Sequence, residues 1–224
     1  MNENELAYIN RLRKDVYAKI SDYVNDTTVD KIVMNDLVKA HIENKVSASF
    51  QNYYFATLNN EEQYFKSTDF FRQFKSQYSL QGIDNKYLDR LESNKYEILE
   101  AIHDNLVQLY FDFFNKAEIK HGNGFKEKDL GSFFAKLVHT FRPDEFCALD
   151  NPIKNYFGLK KESFFISFFI ISDEYKHWAT ENQQTILTIK EKFRLADKSR
   201  TLNHDLLTDL KLLDLIFWSK ANKG

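Results

Sequence analysis

Three side chains that could cooperate in nucleophilic catalysis lie close together in the middle of the sequence. Cys147 is the only cysteine of the chain, and it follows His139 and precedes Asp150. A thiol, an imidazole and a carboxylate in one neighbourhood could serve as nucleophile, base and orienting group. The flanking residues Phe146 and Leu149 are apolar, however, and a single cysteine in such surroundings is more often a core residue. The sequence favours the core interpretation for this thiol.

Two Glu-x-x-His pairs could contribute ligands to a metal site. Glu100 precedes His103, and Glu174 precedes His177, at the spacing that helical di-iron proteins use. Such a site also needs a glutamate from each of two further helices, and the sequence shows no register that would supply them. The chain contains no HExxH, Walker A, dinucleotide-binding or C-x-x-C motif. We therefore predict neither a metal nor a cofactor.

The segment around Asp150 contains strong determinants of local structure. Five apolar residues recur with a helical period before Arg142-Pro143, where the proline ends the helix; they are Phe133, Phe134, Leu137, Val138 and Phe141. Asn151 is a good N-cap, and the proline after it fits the first position of a second helix. This second helix is predicted over about 152–157, with Gly158 as its C-cap. Asp150 is thereby held at the beginning of the second helix.

The same segment resembles part of a known protein family. It reads Ala-Lys-Leu-Val-His from residue 135, Arg-Pro-Asp-Glu-Phe from residue 142 and Leu-Asp-Asn-Pro-Ile from residue 149. This pattern is similar to bacterial proteins that resemble the oxoguanine DNA glycosylase fold, a group similar in turn to the helix-hairpin-helix DNA glycosylases. The resemblance covers 126–159, with a weaker similarity at 209–218. It implies a glycosylase-like helical fold in which Asp150 would help to activate the attacking group at the sugar.

The resemblance is incomplete at the position of the catalytic lysine. Bifunctional members of the family carry a nucleophilic lysine at the start of the helix that precedes the aspartate, and Gly131-Ser132 occupies that place here. The nearest amines belong to Lys126, Lys128 and Lys136. Lys136 lies on the flank of the apolar arc, where it could reach toward a groove or extend its stem along apolar surface with its amine in water. Lys136 and Asp150 are the candidate catalytic pair.

Positive charge is concentrated in two short segments. The whole chain has 31 basic and 33 acidic residues, a formal net charge of -2, which argues against a generally basic nucleic-acid-binding surface. Residues 116–128 combine lysines with two glycines, a composition suited to phosphate oxygens, to a displaced helical hairpin or to a solvated connector. Residues 190–200 are predicted to form a basic, exposed hinge. The candidate nucleic-acid-binding residues are Lys120, Lys126, Lys128, Lys192 and Arg194.

The remaining pattern predicts an all-α, multi-helix protein. Apolar positions keep a helical period through most of the chain, and no segment sustains a two-residue alternation. A turn at 79–84 would divide the chain into an N-terminal helical subdomain, 1–84, and a glycosylase-like subdomain, 85–224, unless the two form one continuous domain. The predicted helices span about 5–23, 28–42, 61–78, 87–119, 164–171, 178–193 and 204–222.

Localisation is predicted from features that the sequence lacks. The longest apolar run, 164–171, is about half the length that a membrane-spanning helix needs. The first residues have neither the positive charge nor the apolar stretch of a signal peptide, and one cysteine cannot form an intramolecular disulfide. We expect a cytoplasmic protein without membrane contact.

Three functions of different classes remain open. A nucleic-acid-binding helical protein of glycosylase-like fold, which need not be catalytically active, agrees best with the resemblance at 126–159 and with the two basic segments. An active base-excision DNA glycosylase would depend on Asp150 and a displaced lysine. A helical subunit that binds other proteins agrees with the near-neutral charge and the 16% content of aromatic residues. Those aromatic residues could fill a core or stack on unpaired bases.

Overall fold

Helices account for most of the described part of the chain, residues 2–80, 82–121 and 124–222 of a computed structural model. None of the described helices is both long and apolar enough to cross a membrane. The α-helices are α1 (Glu3–Asp26), α2 (Val29–Lys31), α3 (Lys45–Thr57), α4 (Glu61–Lys66), α5 (Phe70–Gln77), α6 (Asn85–Ser93), α7 (Lys95–Asp104), α8 (Leu106–Leu109), α9 (Gly131–Phe141), α10 (Asn151–Tyr156), α11 (Phe164–Glu181), α12 (Gln183–Ala196) and α13 (Asp209–Ala221). The other elements are π-helical segments at Ile32–Ile42 and Tyr110–Phe114, a 3-10 turn at His204–Leu206, and strands β1 (Ala117–His121) and β2 (Gly124–Lys128).

The all-α prediction is confirmed at the level of fold class, with one exception at 117–128. Instead of a helical hairpin or an irregular connector, β1 and β2 form an antiparallel β-hairpin in which Ala117 lies opposite Lys128. Ala117 and Ile119 are buried while Glu118 between them is exposed. This is the two-residue alternation of a half-buried strand. The alternation is too short to stand out from the surrounding helical period.

Asparagine side chains divide the long helix predicted for 87–119. α6 ends and α7 begins at Asn94, and Asn105 caps α8 by accepting a hydrogen bond from the Gln108 N–H at 3.0 Å. The chain continues as a π-helix to Phe114 before β1 begins. Asparagine favours such boundaries because its side chain competes with the backbone for hydrogen bonds. The apolar period runs across both boundaries and therefore does not reveal them.

The sequence prediction omitted α3 and joined α4 to α5 as a single helix over 61–78. Asn44 caps α3, its side chain accepting hydrogen bonds from the backbone N–H groups of Val46 and Ser47 at 3.1 and 3.2 Å. The face that α3 buries is mixed, so it has no clear apolar period. Its buried residues are Gln51, Tyr54, Phe55 and Thr57.

The segment that positions Asp150 follows the sequence prediction closely. Arg142 is the C-cap of α9, as the proline after it requires. α10 begins at Asn151, and Asp150 rather than Asn151 is its N-cap, with the Asp150 side chain accepting a hydrogen bond from the Ile153 N–H at 3.1 Å. Gly158 has a φ of 83°, a conformation that favours glycine, and it turns the chain after α10.

α13 lies at the centre of the helical packing. It contacts the π-helical segment Ile32–Ile42, α10 and α11, while α11 also packs on α1 and α9. One apolar cluster includes buried residues from both sides of the turn at 79–84. Aromatic side chains therefore do fill a core. The largest fully buried side chains are Trp178, Tyr54, Tyr64, Tyr175, Phe71, Phe74, Phe114, Phe133, Phe134, Phe157, Phe168 and Phe193.

Gly131 sets how closely α9 approaches α11. A Cβ atom at this position would lie 2.5 Å from the side chain of Phe164, which is inside van der Waals contact. We expect Gly131→Ala to lower the free energy of unfolding by about 1–3 kcal/mol, because overpacking outweighs the ~1 kcal/mol by which alanine exceeds glycine in a helix. Urea unfolding measures the change. Gly124→Ala is the control, since a Cβ atom there meets nothing within 4 Å; equal midpoints for the two variants would contradict the prediction.

Candidate active site

The two predicted catalytic residues lie on the wall of the same cavity. Lys136 belongs to α9 and Asp150 caps α10, and both border a cavity of about 330 Å³. This volume is at the lower end of the range for small-molecule sites. α3, α13 and the π-helical segment Ile32–Ile42 supply most of the remaining lining, which includes Phe50, Gln51 and Trp218.

Asp150 combines a structural role with an electrostatic one. Its Oδ1 atom accepts the hydrogen bond that caps α10, which stabilises the helix start by about 1 kcal/mol. Burial raises the pKa of Asp150 above its ordinary value, and the positive charge of Lys136 and the hydrogen bond from Ile153 oppose that rise. A carboxylate in this position is both oriented by the backbone and sensitive to charge in the cavity.

Lys136 is half-buried and lines the same cavity. Its amine lies 5.4 Å from the ring centroid of Tyr78. Burial lowers the pKa of Lys136, and the negative charges of Asp150 and Asp214 oppose the decrease. Desolvation disfavours the ammonium form, so a larger fraction of this amine is neutral near pH 7 than for a lysine in water. A neutral amine is the nucleophilic form of lysine.

Lys211 and Asp214 complete the cavity, and the sequence analysis did not identify them. The Lys211 amine lies 3.9 Å from the ring centroid of Tyr54, and burial lowers the pKa of Lys211 to about 8. Burial raises the pKa of Asp214 to about 7, although the charge of Lys211 opposes the rise. One pattern could have revealed the pair: Asp214 lies on the same helical face as Leu210 and Phe217, four and three residues away.

A hydrogen bond to His139, which is itself bonded to Phe146, holds Tyr54 next to the Lys211 amine. His139 donates from Nδ1 to the carbonyl oxygen of Phe146 at 2.6 Å, so its Nε2 accepts the hydrogen bond from the Tyr54 hydroxyl at 2.8 Å. Burial lowers the pKa of His139 to about 3, with the charge of Lys211 as a further cause. His139 is therefore neutral, and both of its ring nitrogens are occupied.

The arrangement of Cys147, His139 and Asp150 as a nucleophile, a base and an orienting group does not form. The Cys147 sulfur accepts a hydrogen bond from the Ser172 hydroxyl at 3.3 Å, and burial raises the pKa of the thiol. His139 is bonded to other residues, as described above. Cys147 is the core residue that its apolar neighbours indicated.

The two Glu-x-x-His pairs do not assemble a metal centre. Glu174 accepts a hydrogen bond from the Arg13 guanidinium at 2.6 Å and lies 3.3 Å from His177. His103 contacts Glu61 at 3.3 Å rather than a second pair. Across residues 2–80, 82–121 and 124–222, no group of three potential ligands could hold a metal ion.

The two basic segments differ in their relation to the cavity. Lys126 and Lys128 are exposed on β2, whereas the side chain of Lys120 lies outside what the structure describes. Lys128 borders, together with Lys136 and Asp150, a second cavity of about 520 Å³ that adjoins the first. The hairpin therefore leads directly to the candidate catalytic pair.

The segment 190–200 is less available and lies elsewhere. Lys190 and Lys192 form salt bridges with Asp209 at 2.5 Å and with Asp30 at 2.7 Å. Arg194 is exposed and borders a separate cavity of about 700 Å³ with Lys198 and Arg200. Most of the predicted hinge is helical, since α12 continues to Ala196.

The chain matches no protein-family model, and no curated protein or solved structure is detectably similar to it. What the cavity can do follows from its own groups. Two amines and two carboxylates share one partly apolar cavity, and burial moves the pKa of each group toward neutrality. Such a set can supply a neutral amine as nucleophile and a carboxylate that accepts a proton or faces a developing positive charge.

The pKa of Asp214 predicts a pH dependence of stability. Between about pH 4 and pH 7 the folded protein holds a proton on Asp214 that the unfolded chain has lost, so this group makes stability fall as the pH rises. We expect the wild type to lose stability relative to Asp214→Asn from pH 4 to 6, with a slope of up to about 1.4 kcal/mol per pH unit. Urea unfolding at several pH values measures both proteins. If the free energy of unfolding varies with pH in the same way in both proteins, Asp214 has an ordinary pKa.

Proposed function

We propose that this protein acts on nucleic acid as a base-excision DNA glycosylase, with Lys136 and Asp150 as its catalytic pair. The observation that carries the proposal is the convergence of a half-buried amine and a half-buried carboxylate on one cavity. A glycosylase acts on a nucleotide that is extruded from the double helix into a pocket. A cavity of about 330 Å³ with aromatic side chains in its lining suits a flipped base.

The chemistry would divide between the two side chains. The neutral amine of Lys136 attacks C1′ of the sugar and forms a C–N bond while the bond from C1′ to the base breaks. The base leaves with the electron pair of that bond. The carboxylate of Asp150 stabilises the positive charge that develops on the sugar as the base departs. The amine must also release a proton, and the departing base must gain one.

The proposal includes a glycosylase-like arrangement of the segment that carries the sequence resemblance. This segment runs from the end of β2 through α9 and the connection to α10 itself, and α13 carries the weaker similarity. The element before α9 is a β-hairpin rather than a helix followed by a glycine-rich turn. The proposed relationship to the helix-hairpin-helix glycosylases is therefore limited to α9, α10 and α13.

A nucleic-acid strand would reach the cavity along the β-hairpin. Lys126 and Lys128 are exposed there, and Lys128 borders the outer cavity next to the catalytic pair. Lysine contacts with phosphates give affinity that does not depend on sequence and that falls as salt is added. The near-neutral chain would thus present positive charge where the substrate enters.

Lys136→Met should abolish covalent trapping of DNA. The bond between the Lys136 amine and C1′ passes to an imine after the sugar ring opens, and borohydride reduces this imine to a stable adduct. We expect the wild type to form an adduct with an oligonucleotide from a panel carrying damaged bases or an abasic site. Lys136→Met keeps the stem and removes the nucleophile, so the adduct should disappear from a denaturing gel.

The control for this experiment is Lys86→Met, which removes an exposed lysine outside both cavities. It should trap DNA as well as the wild type does. A wild type that traps no substrate, while still binding DNA, would remove the proposed catalysis and leave a nucleic-acid-binding protein. A wild type that neither traps nor binds DNA would favour the protein-binding subunit.

Asp150→Asn should separate catalysis from stability. Asparagine is as good an N-cap as aspartate, so the hydrogen bond to the Ile153 N–H is kept and the melting temperature should change little. The charge beside the sugar is lost, and base release should fall by about 10²–10⁴-fold. The two effects are measured by base release from the oligonucleotide that the wild type traps, and by thermal unfolding. A lowered melting temperature with unchanged base release would assign Asp150 to helix capping alone.

A further inference from the structure

The proposed reaction requires a group that takes the proton of the attacking amine, and the cavity offers two carboxylates. Asp150 Oδ1 accepts the capping hydrogen bond from the Ile153 N–H. Asp214 Oδ2 accepts a hydrogen bond from the Ala148 N–H at 2.6 Å. Asp214 Oδ1, in contrast, is buried and accepts no hydrogen bond from any residue that the structure describes. A buried polar atom without a partner is rare in a native protein and calls for an explanation.

We propose, building on the function proposed above, that Asp214 accepts the proton of Lys136 and that Lys211 is the residue that positions Asp214. Asp214 and Lys136 border the same cavity and interact through their charges. Asp214 is only 4% exposed, so its free oxygen can act only on groups inside the protein. Its anchored oxygen, Oδ2, fixes the carboxylate and leaves Oδ1 as the free acceptor.

The proton and electron pairs balance in this step. The lone pair of Lys136 Nζ forms the bond to C1′, and the pair of the broken bond leaves with the base. One N–H proton moves from the positively charged nitrogen to Asp214 Oδ1, and the N–H pair stays on nitrogen. Asp214 then gives this proton to the departing base and returns to its carboxylate form. The step needs no oxidant, reductant or further reactant.

Lys211 is suited to positioning rather than to attack. Its amine lies over the ring of Tyr54, with the centroid 3.9 Å away, and is also 5.6 Å from the ring centroid of Phe50. Cations are attracted to aromatic faces, and this attraction strengthens when water is excluded. Tyr54 is fixed in turn by its hydrogen bond to His139. The Lys211 charge therefore has a defined place three residues before Asp214 on α13.

Asp150 is the other carboxylate that acts on Asp214, and its Oδ1 atom already accepts the capping hydrogen bond from the Ile153 N–H. Lys136 on α9 and Asp150 before α10 face it across the cavity, and Lys211 shares its helix. Four further titratable neighbours are held in their protonated forms at neutral pH, since burial raises their pKa; they are Tyr54, Tyr78, Cys147 and Tyr175.

The test uses formaldehyde and cyanoborohydride, which methylate amines without any nucleic acid. Mass spectrometry of the Lys136 peptide gives the methylation rate from pH 6 to pH 11, and exposed Lys86 in the same sample is the internal control. If Asp214 accepts the proton, Asp214→Asn lowers the alkaline plateau of the Lys136 rate by about tenfold or more. If Asp214 acts by charge alone, the plateau stays and the midpoint moves to lower pH, which would overturn the inference.

Lys211→Met provides a second test that keeps Asp214 in place. Without the positive charge the pKa of Asp214 rises further, so the Lys136 rate should fall near pH 7 and recover at alkaline pH. If the methylation rate of Lys136 depends on pH in this variant as it does in the wild type, the positioning role is overturned.

The two proposals can fail separately. DNA trapping by the wild type together with an unchanged plateau in Asp214→Asn would overturn the inference alone. A lowered plateau in that variant, combined with a wild type that traps no DNA, would support Asp214 as the proton acceptor and overturn the glycosylase proposal.

Discussion

Two lysines and two aspartates line one partly apolar cavity, and the attraction between their opposite charges offsets part of the cost of taking them out of water. Lys211 and Asp214 are the most deeply buried of the four, and the cost of desolvating each of them is opposed by the charge of the other. The four residues come from α9, the start of α10 and α13. These helices must therefore pack in a way that keeps opposite charges facing each other. The hydrogen bond from Ala148 to Asp214 joins the connection before α10 to α13 at this point.

The same balance gives the cavity its chemical character. Desolvation lowers the pKa of the lysines and raises that of the aspartates. This reduces the free-energy difference between an ammonium beside a carboxylate and a neutral amine beside a neutral carboxylic acid. The pKa values of about 8 for Lys211 and about 7 for Asp214 are the closest match of an amine and a carboxylate in the cavity. The polar groups around the cavity are held rigidly, as the chain of hydrogen bonds from Phe146 through His139 to Tyr54 shows. An amine and a carboxylate of similar pKa in a fixed frame are a suitable arrangement for acid–base catalysis.

The sequence predicted those features that depend on local stereochemistry. Proline after Arg142, glycine at 158 and the apolar arc of α9 act within a few residues, and the structure confirms each of them. The sequence also supplied Lys136 and Asp150, which the fold brings to one cavity. It did not reveal α3, whose buried face includes the polar residue Gln51, or the short strand at 117–121. Lys211 and Asp214 were missed for a related reason, because charged residues in a helix are normally exposed and only tertiary packing determines that these two are buried.

The residues that line the cavity are far apart in the sequence, so the cavity is completed late in folding. Lys136 and Asp150 belong to neighbouring elements, whereas Lys211 and Asp214 lie on α13, the last helix among the described residues. During synthesis the N-terminal parts of a chain are available to fold first. A nascent chain that has folded only as far as α11 therefore lacks Lys211 and Asp214, the two α13 groups that border the cavity with Lys136. The cavity acquires its second amine and its second carboxylate only when α13 docks, in the same packing step that buries the apolar residues of that helix.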